Sequence, residues 1–227
     1  MNDRRQWAEG ARAVSPILLG VVPFGLIFGV TAANADVPQI AAWASSFIVF
    51  AGASQIALVE VMDSGGGPVI AVLTAVIINA RMLMYSADMG RYTADVPLLA
   101  KLRSAYLLTD QAYLVSTHRF PDPATAKGFI PFYTAAGLTL WVTWQASTSA
   151  GMLLGAAIPA SWSLEFAIPL TFMALLVLAV KDRPGLVAAI VGAAVAVALN
   201  GLPHHMGLPI GTLAGIVAGM IAEGRSE

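Results

Sequence analysis

Phe50-Ala51-Gly52-Ala53-Ser54-Gln55 lies inside an apolar run from Ile40 to Met62, and it breaks that run with small residues and a Ser-Gln pair. A second polar cluster, Asn79-Ala80-Arg81-Met82-Leu83-Met84-Tyr85, closes the next apolar run. Polar groups at membrane depth are costly unless they meet a partner or water. Two such clusters so close together predict a polar cavity inside an all-α, polytopic integral membrane protein.

Composition agrees. The chain has 227 residues, 58% hydrophobic and only 11% charged, with a mean hydropathy of +0.76. A soluble domain carries about 25% charged residues. The segments of about 10 alternating residues that build an outer-membrane barrel are missing. A net charge of −1 gives no reason to expect nucleic acid, and the absence of cysteine excludes disulfides and thiolate metal sites. Neither metal nor cofactor is expected. The polar stretch Met1–Ala13 leads into an apolar run with no small-residue cleavage site close behind it. That reads as a first helix that inserts and stays.

A helix crosses the hydrocarbon core in about 20 residues. On that rule the chain offers Val14–Ala33, Ile40–Met62 and Pro68 to about Ala87. A polar stretch, Asp88–Ser104, and a short run, Ala105–Thr117, come next. Gly128–Ile158, Leu164–Val180, Leu186–Leu199 and Leu208–Ala222 complete the set. Asp63-Ser64-Gly65-Gly66-Gly67 and Lys181-Asp182-Arg183-Pro184 are turns. The expectation is one domain over residues 1–227 with seven or eight transmembrane helices.

Lysine and arginine mark cytoplasmic loops. Arg4, Arg5 and Arg12 place the N-terminus inside, and Arg119 with Lys127 and Lys181 with Arg183 mark two further cytoplasmic segments. Eight full crossings satisfy all three but leave Arg91, Lys101 and Arg103 outside. If the second and the short fourth elements are re-entrant, that loop moves inside and the other assignments stand.

Several polar residues stand out, each with a plainer reading beside the functional one. Gly52, Ser54 and Gln55 suit a substrate cavity, whereas Gly52 and Ala53 also suit close helix packing. Where the helix unwinds, free N–H groups at a half-helix start can hold a carboxylate. Asn79 and Arg81 extend the cavity, with Arg81 paired to an acid or an anionic substrate. The alternative has Arg81 snorkelling to the head groups. Asp110, between Thr109 and Gln111, is a carboxylate inside a short apolar run and a candidate for ion coupling. An interfacial helix with Asp110 facing water is the other reading. Glu60 and Asp88 are further ion-coupling candidates. Head-group exposure competes for Glu60 and for Glu165, and a solvated pair with Arg91 competes for Asp88. His204-His205 reads as a surface loop. Gly211, Gly215 and Gly219 form a helix-packing face, internal or for a partner. A weak similarity between Pro23-Phe24-Gly25 and Pro169-Leu170-Thr171-Phe172, with Asn79 and Asn200 each closing a run, hints at the repeats of transporters.

No nucleophile elbow, metalloprotease helix or phosphate loop is present. The chain is not expected to be an enzyme, and any transport energy must come from a gradient or from other subunits.

Taken together, Leu19-Gly20-Val21-Val22-Pro23-Phe24-Gly25, Phe50–Gln55, Asn79–Tyr85 and Thr109-Asp110-Gln111 resemble the AzlC family, the large subunit of bacterial branched-chain amino acid exporters. The likeness runs over most of the chain, strongest from Ser15 to Phe120. Met82 and Gln111 depart from it, since the family often carries His and Glu there; proton coupling and substrate range are in doubt at those places. The resemblance implies a multi-pass permease of the bacterial inner membrane. It implies efflux of valine, leucine, isoleucine and sometimes methionine, driven by the membrane potential or a proton gradient. It also implies a small, hydrophobic AzlD-type partner subunit. In such a cavity Ser54, Gln55 and exposed backbone hold the zwitterion, while Phe24, Phe50 and methionines hold the side chain; Gly25 completes the set from the first helix. A channel or carrier for a different small solute, or a non-transporting membrane scaffold, competes with this reading.

Overall fold

The computed structural model describes residues 3–155, 180, 182–199 and 207–224. Glu165, the Pro169–Phe172 half of the suspected repeat, Asn200 and His204-His205 lie outside the described residues. Contacts divide the chain into two compact units, Met1–Ala167 and Ile168–Glu227.

The described part of the first unit is helical throughout. Helices α1 (Asp3–Val14) and α2 (Leu18–Asn34) are joined by a single 3₁₀ turn, Ser15–Ile17. Together they make one rod of 32 residues, long and apolar enough to cross a bilayer. Then come α3 (Gln39–Ile48), α4 (Gly52–Asp63), α5 (Gly67–Asn79), α6 (Arg81–Thr93), α7 (Leu98–Tyr106), α8 (Asp110–Arg119) and the 27-residue α9 (Phe129–Gly155). Helices α5 and α6 pass the same membrane test only as a pair, bent by 47° at Ala80. At the bend the ladder gives way to shorter bonds, Ala80 to the Ile77 carbonyl and Leu83 to the Ala80 carbonyl. The sequence placed a polar stretch over 88–104. Helix instead occupies most of it, because Asp88 and Arg91 pair one turn apart on α6 and Pro97 starts α7.

The rod α1–α2 and α9 lie side by side and run in the same direction. A Cβ on Gly10 would meet the Phe132 backbone. On Gly25 it would meet Ser147, on Gly29 Thr148 and Gly151, and on Gly155 Val30 and Ala33. Small residues on both faces let the backbones touch, as close packing without a hydrophobic driving force requires. Phe28, Phe129, Phe132 and Tyr133 fill the contact and are almost fully buried.

The second expected element is two helices folded back as a hairpin. Helix α3 runs down α9, with Trp43 bonding Ser149 and Phe47 packing edge-on to Trp141. Phe50 then takes a positive φ of 44° and Ala51 is extended, which reverses the chain. Helix α4 climbs back until the Asp63 carboxylate accepts the Asp36 N–H at the start of the hairpin. Gly65 and Gly67, at φ 79° and 74°, then turn the chain into α5; residues with a Cβ rarely adopt that conformation.

The fourth expected element, Ala105–Thr117, is the tip and returning helix of a matching hairpin from the opposite end, whose first helix, α7, lies mostly in the expected polar stretch. Helix α7 runs up α9, where the Tyr133 hydroxyl donates to the Ser104 carbonyl and Leu107 covers Gly137. The chain reverses over Leu107–Thr109, and α8 returns until Arg119 reaches Glu9 and Phe120 packs on Phe129 and Phe132. Tyr92 at the end of α6 donates to the Phe120 carbonyl, so α6 finishes at that same end.

In the second unit α10 (Arg183–Ala198) and α11 (Gly207–Glu223) form an antiparallel pair. Gly211, Gly215 and Gly219 meet Gly192, Ala188, Ala196 and Pro184. The glycine stripe expected from the sequence packs internally.

Candidate functional site

Three helix interruptions converge halfway along α9: the α3–α4 reversal at Val49–Ala51, the α5–α6 bend at Ala80 and the α7–α8 reversal at Leu107–Thr109. The two hairpin tips touch. The Tyr106 hydroxyl donates to the Phe47 carbonyl at 2.7 Å and accepts from the Trp141 indole N–H at 2.8 Å, and the Phe50 ring lies 6.4 Å from that of Tyr106.

Gln55 is completely buried, and its amide is engaged. Its Oε1 accepts the Ala51 N–H, and its Nε2 donates to the Ser45 and Ser46 hydroxyls. Ser54 donates to the Ala51 carbonyl. The pair expected to bind a zwitterion therefore ties the α3–α4 reversal shut. Ser46 also accepts from the Trp144 indole, approaches the Thr148 hydroxyl, and offers its carbonyl to Gln145 Nε2. This buried polar hub fastens the hairpin to α9. Sequence reading passed over Ser45, Ser46 and Gln145, although the logic applied to Gln55 covers them: polar side chains inside apolar runs need partners.

Gly52 opens α4 with no side-chain cap before it, so the first-turn N–H groups lack an intrahelical acceptor. A Cβ there would stand 2.6 Å from the Phe24 ring and 2.7 Å from that of Trp144. Phe24 and Trp144 thus pack directly on Gly52, the close helix contact that is the plainer reading of this glycine. Gly25 faces Ser147 and serves the α2–α9 contact.

Arg81 and Asp110 come together across the other two interruptions. Arg81 Nη2 lies 3.1 Å from Asp110 Oδ2, with the side chains 44% and 27% exposed. Arg81 is the first residue of α6 and Asp110 the first of α8. A carboxylate suits a helix N-terminus and a cation does not, so Arg81 stands where only an anion justifies it. Asn79, the last residue of α5, has a buried Oδ1 with no hydrogen-bond partner among the described residues; the same holds for Asp110 Oδ1. Thr109 caps α8 by accepting the Ala112 N–H.

The remaining candidates fall elsewhere. Asp88 bonds Arg91 and accepts from the Tyr113 hydroxyl, toward the end of α6. Glu60 is exposed one turn before the end of α4. Neither reaches the meeting point of the tips through a described contact. Among the described residues no cluster of His, Cys, Asp or Glu could hold a metal.

A helical protein whose polar side chains converge on broken helices behind an apolar exterior is of the membrane class. The sequence model described as AzlC protein matches residues 16–158, and the chain belongs to the AzlC family. It is similar to the inner membrane protein YgaZ of Escherichia coli strain K12, 25% identical over 94% of this chain and 87% of that protein. It is 28% identical to an uncharacterized membrane protein of Archaeoglobus fulgidus, over 92% of this chain and 90% of the relative. No solved structure matches the chain.

Proposed function

We propose that the chain is a secondary transporter of the cytoplasmic membrane that exports amino acids with apolar side chains: valine, leucine, isoleucine and, in some members of the family, methionine. It acts with a small hydrophobic AzlD-type subunit and carries out no enzymatic reaction. The observation that carries the reading is the meeting of two opposed hairpin tips beside the Arg81–Asp110 pair. Polar groups gathered at interrupted helices halfway through a bundle are how transporters build a binding site. Rings of Phe24, Phe50 and Trp144 beside that point suit an apolar side chain.

In this reading α1–α2, α5–α6 and α9 cross the membrane, while α3–α4 and α7–α8 enter and return. The parallel course of α1–α2 and α9 is consistent with it, since an odd number of crossings must lie between two that run the same way, and the hairpin form of α3–α4 and α7–α8 favours one. The segments bearing Arg5, Arg91, Arg119 and Lys127 then share the cytoplasmic end, as basic residues prefer. Outward faces agree with lipid: Val69, Ile70, Val72, Leu73, Val76 and Ile77 on α5 are all more than half exposed.

The test is efflux of labelled amino acids from dipeptide-loaded cells expressing the chain with and without its small partner. Faster loss of valine, leucine or isoleucine is expected. Unchanged efflux with both proteins in the membrane would sink the substrate assignment.

A further inference from the structure

We infer that the Arg81–Asp110 ion pair is the empty-state substitute for the substrate's own charges. An α-amino acid enters by exchange: its carboxylate takes Arg81, its ammonium takes Asp110, and the pair closes again when it leaves. The inference rests on the transport reading above and deepens it by assigning each end of the substrate.

Three observations carry it. The first is complementarity of unmet needs. Asp110 Oδ1 and Asn79 Oδ1 are buried acceptors with no donor among the described residues. An ammonium brings three N–H donors and no acceptor. A buried acceptor without a donor is costly, so two of them, one on the carboxylate that holds Arg81 and one on the residue two before Arg81 in sequence, point to a donor that comes and goes. The second is placement. Asp110 Oδ2 holds one nitrogen of Arg81 at 3.1 Å. The planar guanidinium has five N–H donors, and a carboxylate can take two of them side by side. The third is the clamp. Gln55 and Ser54 satisfy one another's surroundings within the α3–α4 tip, so the charged pair, not the amide, is left to read a zwitterion.

The exchange explains how the site stays neutral throughout. With substrate bound, two new ion pairs replace one. Without it, Arg81 and Asp110 pair with each other, and because the pair is partly exposed its opening costs little. Charge balance is met by Arg81 and no proton is required.

The test compares three ligands on the purified chain with its small partner: valine, valinamide, which lacks the carboxylate, and 2-hydroxyisovalerate, which lacks the ammonium. Half-maximal concentrations are read from ligand-induced thermal stabilisation. Valine is expected to bind the unmodified protein at least about tenfold more tightly than either analogue, since a site built for a polar group rejects a ligand lacking it. Asp110→Asn is expected to lose the preference over 2-hydroxyisovalerate and to keep that over valinamide. Arg81→Gln is expected to do the reverse. If both variants rank the three ligands as the unmodified protein does while valine efflux persists, the inference is overturned and the transport reading survives. If the unmodified protein neither binds nor exports valine, both fall. Should a single variant fail to reach the membrane, the Arg81→Asp/Asp110→Arg double variant keeps an internal pair. In that variant an unchanged ranking overturns the inference and a lost one supports it.

Discussion

The two hairpins α3–α4 and α7–α8 approach one another from opposite ends and solve the same problem with different chemistry. Each begins on a proline, Pro38 or Pro97, and each turns back halfway along α9. The α3–α4 tip is held by neutral groups. Gln55 closes it, and the α4 N-terminus is left uncapped under Phe24 and Trp144. The α7–α8 tip is held by its own cap, Thr109, which leaves Asp110 to bond outward to Arg81. Both ends of the Gln55 amide are engaged in that buried network, which holds the tip, although Gln145 Oε1 beside it has no partner among the described residues. A partly exposed ion pair with unused acceptors makes a tip that can exchange partners. On the proposed transport reading, the difference gives the first hairpin a structural role and the second the recognition of substrate.

Four substitutions break or sharpen that contrast. Gln55→Ala has the largest expected effect on stability. It strands the Ala51 N–H and removes both donors to the serines, costing about 3 kcal/mol or more. Thermal unfolding in detergent should show a large loss, and a variant as stable as the parent would deny the clamp. Tyr106→Phe comes next, because it leaves the Phe47 carbonyl and the Trp141 N–H unmatched, for about 1–2 kcal/mol. Amide exchange should rise at both tips together; a rise at one alone would show that the tips are not coupled. Thr109→Ala removes the α8 cap at a cost of about 1 kcal/mol, and Thr109→Asn should restore most of it. Asp110→Asn is expected to cost less than about 1 kcal/mol, as partly exposed pairs do, yet to abolish efflux of valine. A variant that exports normally would move the site away from the pair.

Much of this was legible in the residues. The break at Gly52 follows from polar groups placed where lipid gives them no partner, whereas the bend at Ala80 falls inside a run read as one helix, Pro68 to about Ala87. Asp110 stood out for the same reason, and the glycine stripe of α11 follows from four-residue spacing. The basic residues allowed eight crossings, with Arg91, Lys101 and Arg103 left outside, or re-entrant second and fourth elements that bring that loop inside. What the residues did not show is that α4 folds back until Asp63 meets Asp36 and that α6 ends where Tyr92 meets Phe120, contacts 27 and 28 residues apart in sequence. Such contacts have no local signature.

The sequence by itself determined the class, the helical character, the break at Gly52 and which polar residues stand inside apolar runs. These depend on the solvent each residue tolerates and on backbone freedom at glycine and proline. Only the tertiary structure decided how the polar residues divide their work. Gln55 is spent on Ser45, Ser46 and Ala51, Gly25 on the α2–α9 contact, and Asp110 finds Arg81 across 29 residues of chain. A hydrogen bond reaches about 3 Å, so which partner satisfies a polar group is fixed by packing in space and not by order along the chain.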